Sequence, residues 1–430
     1  MQAATVSPNP TLGDLTRTSF LIGCLGFGGP AGQIALMHRL FVEEKRWIDE
    51  PRYLHALSYC TLLPGPEAQQ LATYVGWMLH GVRGGLIAGS LFVLPGALVM
   101  LGLAWAYVVF GAHPAAAGVL LGLKAVVLAF VAEAVVKIGR RALKTRGALA
   151  LAAAALLALG VFQVPFPVVV LSAGLFGALV FRSAAVPPQQ STTPRRAVAT
   201  VGVAVAWLGA WTAPPAAALV LLGPDHVLTR VGALFSQLAV VTFGGAYAVL
   251  AYLQQQAVTA EGWLSAPQMI DGLGLAETTP GPLVLVNQFV GFLAGWQAQG
   301  GGPWLALAAG AMASWCTFAP SFLWIFAGAP YAEMLRSNRR AAGALAAITA
   351  AVLGIVAQLG LWFAVQVLFA ERQTLALPGG AALQAPVLAS VQVAPALLAA
   401  AAALALIRLK WSPLVVVGLG LAAGFVMQAW

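Results

Sequence analysis

Two prolines flanking a single glycine occur twice in this chain, at Pro64-Gly65-Pro66 and at Pro280-Gly281-Pro282, each inside an apolar stretch. Proline removes a backbone donor, clashes with the preceding helical turn and pushes the residue before it out of helical geometry. Glycine between two prolines accepts whatever conformation the break requires. One helix should therefore end near Leu63 and another begin near Glu67, with Pro66 well placed at its start. A helix start leaves amides without intrahelical acceptors, and the helix dipole adds partial positive charge there. Such an end can hold an anion. Gly28-Gly29-Pro30 repeats the device, and Gly244-Gly245 is its second copy. Four helix starts converging on one point would suit a small tetrahedral dianion. The plain alternative is that these glycines and prolines only kink their helices.

Polar side chains gather around the breaks. Glu67 follows the first Pro-Gly-Pro by one residue, and Glu277 precedes the second by three. Each is a candidate proton-coupling carboxyl, or a structural one bonded to frayed backbone. Gln69 and Asn287, with Gln70, Thr278, Thr279 and Gln288, could bond oxyanion oxygens or satisfy backbone freed by the break. Lys124, alone in an apolar segment, is the best buried cation for a dianion, unless it snorkels to the interface. Glu133 on the same helix faces a basic loop. The five histidines share no ligand spacing. The three cysteines lie singly in apolar sequence and read as small hydrophobes. No metal or cofactor is expected, no enzyme chemistry is indicated, and the absence of a Walker motif gives no sign of ATP drive.

The elements that must position these residues come from a duplication. Residues 27–85 and 243–301 align without a gap, with thirteen of fifty-nine positions identical. The matches include Phe27/Phe243, Trp47/Trp263, Pro51/Pro267, both Pro-Gly-Pro motifs and Gly84-Gly85/Gly300-Gly301. Hydrophobic halves interrupted by glycine and proline at matching places point to a transporter and its binding site. Composition agrees. Of 430 residues 60% are apolar and 8% charged, too few charges to cover a water-facing surface. The chain reads as an all-α polytopic membrane protein with lipid around it. The net charge of +9 sits in short loops and does not indicate nucleic acid. No cleaved leader is read at the N-terminus.

Thirteen apolar segments are expected, at 14–37, 54–80, 86–110, 115–136, 147–162, 165–181, 198–222, 231–256, 268–297, 303–327, 341–369, 386–407 and 412–428. A proline-rich polar stretch, 183–197, reads as a flexible cytoplasmic linker between an N-terminal repeat (1–182) and a C-terminal repeat (198–430). Lys and Arg cluster at 137–146, in the linker, at 336–340 and at Arg408/Lys410. Placing these inside sets the N-terminus in the cytoplasm and the C-terminus in the periplasm of an inner membrane. The second copy begins seven segments after the first, and an odd offset inverts it. Loop 38–52, with four basic and four acidic residues, fits the inside if 14–37 and 54–80 are re-entrant hairpins and the outside if they span; 231–256 and 268–297 pose the same choice on the other face. Trp47 and Trp263 are expected at the interface, Asp49 as a helix N-cap and Ser265/Gln268 as a capping box. The sequence does not set the oligomeric state, and a homodimer is compatible with it.

FGGP, LPGPEAQQLATYVGW, GLKAVV, FGGAYAVL and AETTPGPLVLVNQFVGF together resemble the long-chain, two-domain members of the chromate ion transporter family. The resemblance covers nearly the whole chain. It implies an inner-membrane transporter that expels chromate, in a family discussed as carrying chromate or sulfate under the proton-motive force. The family's motif residues fall on Phe27–Pro30, Pro64–Pro66, Lys124, Phe243–Gly245 and Pro280–Pro282. Ala246 replaces the Pro30 equivalent, which weakens the second helix start. A dianion leaving a negative interior gains about 4.6 kcal/mol per 100 mV, a gradient of over three decades at about 1.4 kcal/mol each. Export therefore needs no ATP; proton antiport would add to it. Sulfate or another tetrahedral oxyanion, and a passive anion channel, are the rival readings.

Overall fold

The computed structural model describes residues 10–181, 197–243, 245–331, 338–376 and 382–429. The linker from 183 to 196 and Gly244 lie outside them. The chain forms helices α1 (Leu12–Leu25), α2 (Gly29–His38), α3 (Glu50–Cys60), α4 (Glu67–Phe110), α5 (Pro114–Ala142), α6 (Arg146–Gly160), α7 (Phe166–Val180) and α8 (Ala197–Leu222). The second half supplies α9 (Val227–Val241), α10 (Ala246–Leu253), α11 (Ala266–Thr278), α12 (Val286–Gln297), α13 (Pro303–Gly328), α14 (Arg339–Leu368), α15 (Val393–Ile407) and α16 (Pro413–Ala429). One antiparallel hairpin, Arg372–Ala376 with Ala382–Pro386, interrupts the helices. Among the described residues five helices are long and apolar enough to cross a membrane: Glu67–Phe110, Ala116–Ala142, Thr200–Leu222, Pro303–Gly328 and Arg339–Leu368.

The segments expected at 14–37, 54–80, 231–256 and 268–297 are each interrupted at their motif. Asp49 caps α3 by accepting from the Arg52 amide at 2.8 Å. Ser265 and Gln268 form the expected reciprocal cap on α11. α3 stops at Cys60 and α4 starts at Glu67, so Pro66 is the residue before the helix, its carbonyl accepting from the Gln70 amide.

Moved by 216 positions, α1, α2 and α3 fall on α9, α10 and α11. A wider π-helical turn follows α2 and α10 at matching places, Arg39–Glu44 and Gln254–Ala260. Each is closed the same way, Trp47 N–H donating to the Phe41 carbonyl at 2.9 Å and Trp263 N–H to Ala257 at 2.8 Å. Both tryptophans are 8% exposed, so their rings pack inside instead of lying open as interface anchors.

α4 does not run straight. His80 and Gly81 leave helical geometry, Gly81 with φ +62°. A methyl on Gly76 would strike the Gly84 carbonyl, and one on Gly89 the Thr73 hydroxyl. In a continuous helix residues eight apart are about 12 Å distant, so the arms before and after Gly81 fold back antiparallel. α12 and α13 make the corresponding hairpin, with Gly291 and Gly295 against Ala309. Small residues let these backbones touch, which is how helices gain packing where lipid offers no hydrophobic drive.

Two compact units emerge, and each draws on both sequence halves. The first comprises Met1–Ala104, Ala185–Ala246 and Thr279–Asn338. The α12–α13 hairpin packs with α8 and α9, and Trp207 stacks on Phe322 with ring centroids 5.2 Å apart. The second comprises Trp105–Ala184, Tyr247–Thr278 and Arg339–Trp430. There α5 packs on α14, α15 and α16. Gly118 and Gly122 meet Gly420 and Gly424 backbone to backbone.

Candidate functional site

The first unit holds the four breaks. Gly28 is the N-cap of α2 with φ +84°, and Pro30 stands in its first turn. Gly65, Gly245 and Gly281 also have positive φ, at 106°, 100° and 90°. Here glycine is required, because a Cβ would be strained whatever space surrounds it. α10 begins at Ala246, so the second Phe-Gly-Gly also precedes a helix despite lacking the proline.

The breaks pair crosswise. The Gly65 amide donates to the Thr242 carbonyl at 3.0 Å, and the Gly281 amide donates to the Gly26 carbonyl at 3.0 Å. Positions 26 and 242 are equivalent in the duplication, as are 65 and 281. Each Pro-Gly-Pro thus bonds the residue just ahead of the other copy's Phe-Gly-Gly motif, the C-cap of α1 or α9. A contact in which residue i of one copy meets j of the other, and j meets i, is the mark of two-fold pairing.

Buried amides surround this exchange. Gln33 Nε2 donates to the Gly26 and Gly281 carbonyls, Gln70 Nε2 to Pro64 at 2.7 Å and Gln69 Nε2 to Phe318 at 3.3 Å. Asn287 Nδ2 donates to Thr317 Oγ1 at 3.0 Å. The donors expected for an oxyanion at Gln69 and Asn287 are therefore engaged with α13. The carboxamide oxygens of Gln33, Gln69, Gln70, Asn287 and Gln288 and the Ser321 hydroxyl are buried without a protein partner. Buried polar atoms in that condition call for an explanation such as water or a ligand. First-turn amides of α2 and α4 supply donors beside them. A lining of donors interleaved with acceptors suits a hydrated or singly protonated oxyanion better than a bare one. Gln33, Thr317 and Ser321 escaped sequence reading. Thr317 and Ser321 lie well beyond the motif they face, while Gln33, five residues after Gly28, was a legible polar residue in an apolar run.

Lys124, Glu133 and Glu277 belong to the second unit. Lys124 Nζ lies 3.5 Å from Asp271 Oδ1, and the Tyr107 hydroxyl donates to Asp271 Oδ2 at 3.0 Å. The Asp271 side chain is 3% exposed and that of Lys124 24%. So Lys124 has an ion-pair partner within the protein, which the sequence reading did not find, although a second acid besides Glu277 in the apolar run 268–297 was its signal. The carboxylate stands in one copy alone: the duplication places His55 opposite Asp271. On the same helix Glu277 accepts from the Tyr247 hydroxyl at 2.6 Å. Glu133 pairs with Lys137 at 2.7 Å. Glu67 is half-buried at the start of α4. Gln255 ties the second π-helical turn to the α6–α7 connection, accepting from the Phe166 amide and donating to the Val164 carbonyl.

The chromate transporter family model matches residues 13–178 and 229–425. Over 339 residues the chain is 33% identical to the chromate transport protein of Pseudomonas aeruginosa, covering 78% of this chain and 76% of that one. It is 31% identical over 365 residues to the probable chromate transport protein of Synechococcus elongatus, covering 83% and 86%. A shorter relative, the uncharacterized transporter YwrA of Bacillus subtilis, is 29% identical over 164 residues, which span 37% of this chain and 92% of the relative. No solved structure matches the chain. Two matched halves, motifs at the breaks and relatives aligned over most of their length place the protein: the chain belongs to the chromate transporter family.

Proposed function

We propose that the protein exports chromate from the cytoplasm across the inner membrane, driven by the membrane potential, and so confers chromate resistance. The observation that carries the site is the crosswise pairing of Gly65 with Thr242 and of Gly281 with Gly26, each 3.0 Å. It brings both Pro-Gly-Pro breaks and both Phe-Gly-Gly starts into one compact unit. The oxyanion is held there by the first-turn amides after Gly28-Gly29-Pro30 and Pro64-Gly65-Pro66 and by their second copies. Gln69 and Asn287 shape the lining through their engaged amides. Glu67 and Glu277 are the carboxyls for proton traffic, and Lys124 is the cation the anion meets in the second unit.

In this reading the halves 1–182 and 198–430 are inverted repeats joined by a cytoplasmic linker. The N-terminus is inside and the C-terminus outside. A two-fold relation between inverted halves allows the same break geometry to open to either face, the usual basis of alternating access. The four interrupted segments rest on halves too short to span alone. α3, at 11 residues, is about 17 Å long, against a hydrocarbon core of roughly 30 Å.

Transport of chromate and of sulfate into everted membrane vesicles tests the proposal. Chromate should accumulate when the interior is made positive, and chromate loaded inside should accelerate entry from outside. Sulfate uptake with chromate neither moving nor competing would overturn the substrate. Linear flux that does not saturate or respond to trans chromate would make the protein a channel.

A further inference from the structure

We propose that Lys124 and Asp271 form an exchangeable anion site: a tetrahedral oxyanion replaces the Asp271 carboxylate at Lys124, and Asp271 takes up a proton as it does. The inference deepens the export reading and rests on it for the identity of the anion.

Three features of the pair support it. It is asymmetric in access, because the carboxylate is 3% exposed and the lysine side chain 24%. Part of the lysine side chain is left uncovered by protein while the carboxylate is enclosed, so an anion would approach the lysine and not the acid. The pair is also loose. At 3.5 Å the ammonium is beyond ordinary charge-assisted hydrogen-bond length, and among the described residues no group donates a hydrogen bond to Oδ1. Oδ2, by contrast, is held by Tyr107 at 3.0 Å. Finally, the carboxylate is not part of the duplicated scaffold, since the other copy has His55 at the matching position.

Among the described residues Lys124 is the one cation that pairs with Asp271, and Glu277, on the same helix, bonds Tyr247 instead. Tyr107 faces Asp271 from the end of α4. On α5, Glu133 and Lys137 lie two or more turns beyond Lys124 and pair with each other. The π-helical turn Gln254–Ala260 carries no charge, and α14 carries only Arg339 and Arg340, at its first turn. Once an oxyanion occupies Lys124, the buried carboxylate has lost its counter-charge. An uncompensated buried charge is expensive, and a proton drawn from solvent onto Oδ1 removes it. Linkage makes the effect reciprocal: if anion binding favours protonation, a lower pH must tighten anion binding by the same factor. A proton bound with the anion moves in the same direction, not against it as antiport would require. Chromate would then carry out one net negative charge, still favoured by a negative interior.

The test uses purified full-length protein in weakly buffered solution, in the alkaline range where chromate itself is a dianion. Chromate addition should take up about one proton per anion bound, and its apparent affinity should rise about tenfold per pH unit lowered. Asp271→Asn should still bind chromate, with no proton uptake and a flat pH profile. Asp271→Glu should restore both, which guards against a variant that merely fails to fold. Wild-type binding without proton uptake, or uptake undiminished in Asp271→Asn, would overturn the inference while leaving export intact. Sulfate binding with proton uptake and no response to chromate would instead overturn the chromate reading and keep the site.

Discussion

The Gly65 amide donates to the Thr242 carbonyl at 3.0 Å, across 177 residues of sequence, and its duplicate Gly281 donates to Gly26 at the same distance. Each bond joins a Pro-Gly-Pro break of one copy to the residue before the Phe-Gly-Gly motif of the other. Backbone partners cannot be replaced by side-chain substitution, so the pairing tolerates sequence drift around it. It does constrain the glycines, which hold φ values of +106° and +90°.

Gly65→Ala and Gly281→Ala should therefore behave as a matched pair. A Cβ at positive φ costs about 1–3 kcal/mol. Each variant should lower the thermal midpoint by a similar amount and cut chromate resistance sharply. Gly65→Leu, with the larger side chain toward Gln70 and Ser321, should abolish resistance while the protein still reaches the membrane. Full resistance in Gly65→Leu would remove this break from the site.

Lys124→Ala should abolish resistance and also destabilise the protein, because Asp271 is left buried without its partner. Removing one member of such a pair costs about 3–5 kcal/mol. The double variant Lys124→Ala/Asp271→Asn should recover most of the thermal stability and none of the transport. Recovery of resistance in the double variant would show that Lys124 matters only through its ion pair.

Glycines inside the α4 hairpin should differ by position. Gly84→Ala places a methyl against the Gly76 carbonyl, and overpacking of this kind typically costs about 1–3 kcal/mol. Gly102, with nothing near its would-be Cβ, should accept alanine at no cost or gain about 0.5–1 kcal/mol from helix propensity. Melting of the two purified variants decides it; equal midpoints would mean the arms do not cross at Gly76 and Gly84.

Local chemistry made part of this legible in the sequence. The ends of α3 and α4 follow from proline sterics, and the caps at Asp49 and Ser265 follow from side chains that reach three residues. Lys124 stood out because a charge in an apolar run has few explanations. Asp271 lies 147 residues away, and no local rule links the two. The hairpin tip at His80-Gly81 carries no proline, and its fold-back depends on glycines meeting across the turn. The π-helical turns are set by which carbonyls the Trp47 and Trp263 amides find in three dimensions. The crosswise glycine bonds needed the duplication as a clue and the structure as the answer.

Inversion of the repeats has a direct reading at one pair of equivalent residues. Lys45 and Glu261 each follow the π-helical turn of their copy, and both are half-buried at its end. Copies related by a two-fold axis in the membrane plane place these two positions on opposite faces, while an axis along the membrane normal places them on the same face. Lys45→Cys and Glu261→Cys in a background lacking Cys24, Cys60 and Cys316 can be labelled with an impermeant maleimide on intact cells and on everted vesicles. Inversion requires that each variant label from one side only, and that the sides differ. Labelling of position 45 from the cytoplasm further requires the segments flanking it to turn back within the membrane, since straight spans would carry that loop outside. Shared sidedness would rule out inversion however closely the two copies match in sequence, because the odd offset that suggested it counts apolar segments and not the path of the chain through them.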